Sequence, residues 1–266
     1  MLQSYLFWLL VVSTACWGLE RCFPWRRGQS WFRAELGQDF FFLFFNGHAF
    51  GVLLAWVLLQ LGVLGGNWLD IGWVNNLANR RVLSQYPLMI QFVLFLIGKD
   101  FLEWCVHNLL HRVSWLWEVH KIHHSIITMD WLGNFRFHFL EVIVYRTLLW
   151  LPILPLGPDP RILLPLAVFV TAYGHLNHAN IRWDYGPFRF ILNSPRVHLW
   201  HHDEVCHFPA GQNFAIVFSL WDTLFGTLYL PVDREDPERL GFRGIERFPE
   251  GLPARFWYPF VHWMTK

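Results

Sequence analysis

Charge is the scarcest thing in this chain. Only 15% of its 266 residues are Asp, Glu, Lys or Arg, whereas soluble domains carry about a quarter. The formal net charge is +1 and no polybasic tract stands out, so nothing draws the chain toward nucleic acid at long range. Its four cysteines, Cys16, Cys22, Cys105 and Cys206, form no C-x-x-C pair, which argues against a zinc knuckle or a disulfide ladder and for buried thiols. The sequence has no H-E-x-x-H, which counts against an intramembrane metalloprotease. It also lacks a G-x-S-x-G elbow and a glycine-rich nucleotide loop. No low-complexity linker divides it.

Apolar and aromatic residues fill the space that charge leaves. The chain is 54% hydrophobic, with 17 Trp and 26 Phe, more aromatic surface than a soluble core of this size buries. An all-α integral membrane bundle of four to five spans is the expected class. Residues 1–19 carry no charge and read as an uncleaved first membrane helix, since a signal peptide would place Lys or Arg before its apolar run. The loop from Glu20 to Asp39 holds Arg21, Arg26, Arg27 and Arg33 and is expected to remain cytoplasmic. Phe40 to Leu64 is the clearest span, and residues 65–87 read as an interfacial loop or short amphipathic helix. Leu88 to about His111 forms a further helix whose first half crosses the membrane. Phe139–Leu156 and Arg161–Tyr173 form a hairpin that leaves and returns on the same side. The expected domains are therefore N-terminal membrane helices (1–87), a catalytic unit (88–230) and a cytoplasmic or interfacial tail (231–266).

Against this background stand the histidines. Eleven of the fourteen lie between His107 and His202. His107 and His111 are spaced i, i+4, and with Asp100 and Glu103 they mark one face of a helix. His120, His123 and His124 form H-x-x-H-H, and His198, His201 and His202 repeat it. In that motif the first two rings lie about a turn apart and the third points about a hundred degrees round, so one cluster can serve two metal ions. Imidazole suits Zn, Cu, Fe and Ni, but one ion uses three or four ligands and many more are offered here. The topology independently places all the clusters on the cytoplasmic face. His207 and His262 stand outside the clusters and read as ordinary interfacial residues.

These residues carry a resemblance. H-x(3,4)-H followed by two H-x-x-H-H boxes is similar to the pattern of the fatty acid hydroxylase and sterol desaturase superfamily, the membrane-bound non-haem di-iron oxygenases. The similarity extends to Leu116-Trp117, Ser125, Arg136-Phe137-His138 with Glu141, His178-Ala179-Asn180, Ser194-Pro195 and the run Trp221 to Thr227. It covers residues from about 90 to 230. Phe139 stands where the family usually has Pro, a change that bears on how the helix there begins. The resemblance implies two iron ions, with O2 as co-substrate, held by the histidines of the three boxes together with His138 and His178. His175, one turn before His178, is expected as a ligand or as support for one. Asp100, Glu103, Glu141 and Asp222 are expected to accept the second N–H of ligating imidazoles, and Asn180 to hold a water. Their alternative is ion pairing with Lys99, Arg136 or Arg146, and for Asp222 fixing the turn around Gly226.

The implied activity is hydroxylation, ahead of desaturation, of an unactivated C–H bond in a lipid or sterol-like substrate drawn from the bilayer. No fused cytochrome b5 segment is seen, so a separate cytochrome b5-, ferredoxin- or rubredoxin-like donor is expected. A bacterial inner membrane is favoured over the endoplasmic reticulum. The alternative is a haem- or metal-binding membrane protein without oxygenase activity.

Overall fold

The computed structural model describes residues 4–64, 76, 80–234 and 236–264. Most of the expected interfacial loop at 65–87 lies outside them. Ten α-helices are described: α1 (Tyr5–Cys22), α2 (Leu36–Phe44), α3 (Phe50–Leu64), α4 (Leu88–Arg112), α5 (Ser114–His124), α6 (Phe139–Ile153), α7 (Leu163–His178), α8 (Pro195–His201), α9 (Leu220–Phe225) and α10 (Leu252–Met264). Among the described residues there is no β-strand, only isolated bridges. The all-α expectation holds.

The expected span Phe40–Leu64 begins earlier, at Leu36. Leu36–Val57 is the one described stretch long and apolar enough to cross a membrane by length and composition alone. It is not a uniform helix. A π-helical turn, Phe45–Ala49, joins α2 to α3, and buried Asn46 lies in it. Its amide donates to the carbonyls of Phe135 and Phe137 at 2.9 and 2.8 Å, tying the distorted turn to the segment before α6. The outer faces of α3 and α4 are apolar and exposed, as at Val52, Trp56 and Met89.

Helix starts follow local chemistry. Ser194 caps α8 by accepting from the Val197 N–H at 3.2 Å, with Pro195 in the first helical position, where its missing donor costs nothing. The family-like Ser-Pro pair is thus a helix start that aims the third histidine box. At α6, His138 does the capping: its Nδ1 accepts from the Leu140 N–H at 3.0 Å. The helix begins at Phe139, the residue that stands where the family usually has Pro.

A buried ionic network joins the loop after α1 and the start of α2 to the segment before α6 and to α10. Arg136 is fully buried and grips Asp39 through two bonds of 2.6 and 2.7 Å and Glu35 at 2.8 Å. Arg33 bridges Asp39 and Asp130, while Glu35 also pairs with Arg255 of α10. Two buried guanidiniums sharing one carboxylate are tolerable only because nearly every lone pair is taken. The cysteine expectation is corrected: all four are free, but only Cys16 is buried, and Cys22 and Cys206 lie exposed in or beside loops.

Candidate metal centre

Four helices converge on the histidines. α4 brings His107 and His111, α5 brings His120, His123 and His124, the end of α7 brings His178, and α8 with the residue after it brings His198, His201 and His202. They separate into two groups in which each ring offers one nitrogen and the nitrogens lie within 4.8 Å of one another. One contains His107, His111, His120, His124 and His201; the other contains His123, His178, His198 and His202.

The division differs from the expected one. Within each H-x-x-H-H box the i, i+4 pair shares a group, and the middle histidine crosses to the other. So His120 and His124 stand with His201, while His198 and His202 stand with His123. On a helix the i+3 and i+4 positions fall on opposite sides of residue i, so facing boxes interlock. Each box therefore contributes to both groups.

The ring nitrogens fit metal ions. Nδ1 of His107, His201 and His178 lies 2.7, 2.7 and 2.8 Å from the carbonyls of Phe214, Gln212 and Gly174. Nδ1 of His120 lies 2.7 Å from Glu141 Oε1. These acceptors hold the proton on Nδ1 and leave Nε2 as a bare lone pair. Nε2 of His107, His120 and His201 is buried without a hydrogen-bond partner, which a native interior rarely tolerates. Facing nitrogens stand at 3.1 Å for His111–His124, 3.1 Å for His178–His198 and 3.4 Å for His123–His178. Ligands on one ion with bonds of about 2.1 Å would be separated by roughly 3 to 3.4 Å. Burial, reinforced by the neighbouring imidazoles, holds His120, His123, His124, His198 and His202 well below the usual histidine range. They are neutral, the form that binds metal.

Other expected site residues are placed differently. His138, expected as a ligand, stands outside both groups. Both ring nitrogens are engaged, Nδ1 in the cap and Nε2 with the Phe256 carbonyl at 3.0 Å. His175 is also outside, bonded to Ser13 and to Asn134, each at 3.1 Å, so it fastens α1 to α7. Asn180 brackets the backbone of Arg26 from both sides and takes no part in the groups.

Of the four carboxylates, only Glu141 meets a clustered imidazole. Glu103 pairs with Lys99 at 2.5 Å. Asp100 accepts from the N–H groups of Val217 and Phe218 and from the Trp221 indole. Asp222 accepts from the N–H groups of Phe214 and Ala215, from the Trp104 indole and from the Thr227 hydroxyl. Both aspartates thus fix the 214–218 segment, whose Phe214 carbonyl orients His107. The backbone carbonyls of Phe214, Gln212 and Gly174 have no signature in the sequence and were not anticipated.

Two cavities flank the centre. On the side of the long helices a space of about 220 Å³ is bordered by His107, His120, His123, His178 and His198. Phe135, Phe137, Val142, Val170 and Ile216 also line it. On the opposite side a wider opening of about 640 Å³ touches His111, His124 and His201.

Residues 92–227 match the fatty acid hydroxylase family model, a stretch that contains every histidine of both groups. The chain belongs to the fatty acid hydroxylase family. It is 30% identical to the ornithine lipid hydroxylase of Rhizobium tropici over 177 residues, 66% of this chain and 52% of that one. It is 28% identical to human alkylglycerol monooxygenase over 131 residues, 49% of this chain and 29% of the relative. To the very-long-chain aldehyde decarbonylase of Oryza sativa subsp. indica it is 24% identical over 194 residues, 68% of this chain and 28% of the relative. The chain therefore spans about half or less of the length of these curated relatives. No solved structure matches it.

Proposed function

We propose that this family member is a membrane-bound oxygenase that hydroxylates an unactivated C–H bond of a lipid. It would use O2, a pair of irons held by the two histidine groups, and electrons from a separate donor protein. The observation that carries this reading is the interlocked histidine pair: nine imidazoles in two adjoining groups, with buried, unpartnered Nε2 atoms. Packed this closely, the nitrogens leave no room for a porphyrin between facing rings, which weighs against the haem alternative. The relatives named as a lipid hydroxylase and a monooxygenase favour hydroxylation over desaturation.

Bound there, a pair of irons would supply the reduction of dioxygen and the oxidising power to break a C–H bond. The chain's own contribution is positional. Carbonyls and Glu141 hold the rings, so that the centre costs little reorganisation on binding. The apolar cavity walls keep water from the reacting carbon and present it beside His123 and His178. The exposed apolar faces of α3 and α4 support a bilayer setting, for which a bundle of four to five spans is the proposed arrangement. In this reading the histidine cap faces the cytoplasm, in a bacterial inner membrane, and residues 88–230 form the catalytic unit.

The test is lipid mass spectrometry of cells with and without the gene under labelled dioxygen, joined to metal analysis of the purified protein. A labelled lipid alcohol and two irons per chain are expected. Zinc in place of iron, with no labelled product, would overturn the proposal.

A further inference from the structure

The smaller cavity is electrically lopsided. At its histidine end are Glu103 and Glu141, each with a buried Oε2 that has no hydrogen-bond partner. Arg146 also lines it. It lies on α6 five residues beyond Glu141, roughly 7.5 Å further along the helix. Thr171 lies seven residues before His178 on α7, about 10 Å away by the same measure, and also lines the cavity. Tyr5 bonds the Thr171 hydroxyl at 2.8 Å and is close enough to act on Arg146 electrostatically. The cation therefore stands at the end away from the metal ligands.

Arg146 has no ion pair and no hydrogen bond among the described residues, although it sits between exposed Ile143 and Leu148 in a helix whose one other charged residue is Glu141. A charge in such a helix without a partner is a costly feature. The fold makes room for it. A Cβ built on Gly51 of α3 would lie 3.0 and 3.3 Å from its two terminal nitrogens, so the guanidinium rests against bare backbone where any other residue would begin a side chain.

We infer that Arg146 anchors an oxyanion of the substrate, a carboxylate or a phosphate, while the reacting carbon lies at the histidine end. This rests on the oxygenase reading and deepens it, because it names the substrate as an anionic amphiphile. The planar guanidinium receives the anion through paired N–H donors, which no protein acceptor takes up among the described residues.

The probes are dodecanoate, dodecyl phosphate and dodecanol, with binding counted by native mass spectrometry of the full chain in non-ionic detergent. Wild-type protein is expected to hold at least one anionic probe roughly tenfold or more tighter than dodecanol. The tighter of the two anions identifies the headgroup chemistry. Arg146→Met should bring that anion down to the dodecanol level without changing dodecanol itself, and Arg146→Lys should retain part of the preference. Gly51→Val should mimic Arg146→Met by displacing the guanidinium. Unchanged dodecanol binding shows that the cavity survives each substitution. Equal binding of all three probes by the wild type, or a preference that persists in Arg146→Met, would overturn the anchor. Binding does not depend on turnover. A labelled product with no anionic preference would sink the anchor alone, whereas an intact preference with no oxygenated lipid would sink the oxygenase reading alone.

Discussion

Glu141 offers the sharpest test of how the centre is held. Its Oε1 lies 2.7 Å from Nδ1 of His120, and both residues are 1% exposed. Glu141→Ala leaves that N–H buried with no acceptor, a loss of about 1–3 kcal/mol. It also frees the ring to turn its Nε2 away from the metal. Removing an outer partner of a ligating histidine typically lowers metal affinity by about 10- to 100-fold, and the two figures agree in size. Glu141→Gln keeps an oxygen acceptor and gives up only the charge, so its loss should stay below about tenfold. Ferrous ion binding measured by competition with a chelator, alongside thermal unfolding of the metal-free protein, separates the two variants. If Glu141→Ala bound iron as tightly as wild type, the claim that this carboxylate orients His120 would be refuted.

His201→Ala should remove bound iron and turnover together while the protein still reaches the membrane, as metal analysis of membrane fractions will show. His138→Ala should do the opposite. Iron content is retained, and the melting temperature falls because α6 loses a cap worth roughly 0.5–2 kcal/mol. Equal iron loss in both variants would restore His138 as a ligand. Arg136→Met strips buried Asp39 of two charged hydrogen bonds and leaves it only Arg33, and also removes one partner of half-buried Glu35, so a destabilisation of about 3–5 kcal/mol is expected in denaturant unfolding. Gly174→Ala drives a methyl into the Asn134 side-chain amide and disturbs the carbonyl that holds His178. About 1–3 kcal/mol of stability should be lost, read as a shift in thermal unfolding.

How much of this was legible depends on distance along the chain. The histidine boxes were readable because helical spacing is local: residues three and four apart meet on any helix. Their division into two groups was not legible, since the side on which i+3 falls matters only when a second box faces it. His138 was taken for a ligand because its neighbours resemble a family motif. Its fate is decided by the Phe256 carbonyl, 118 residues on. Asn180 was likewise taken for a residue of the site, although its side chain is claimed by Arg26, 154 residues earlier.

By itself the sequence determined the class and the chemistry. Low charge and long apolar runs favour helices that satisfy their own backbone, and clustered imidazoles in an apolar chain point to metal. Tertiary structure alone decided which rings stand together and which lone pairs stay bare. It also decided that Glu141 alone of the four carboxylates touches a clustered ring, and that Gly51 leaves Arg146 its place beside the cavity. Those outcomes depend on packing between helices far apart in the chain, where a single carbonyl or missing side chain settles what a motif cannot.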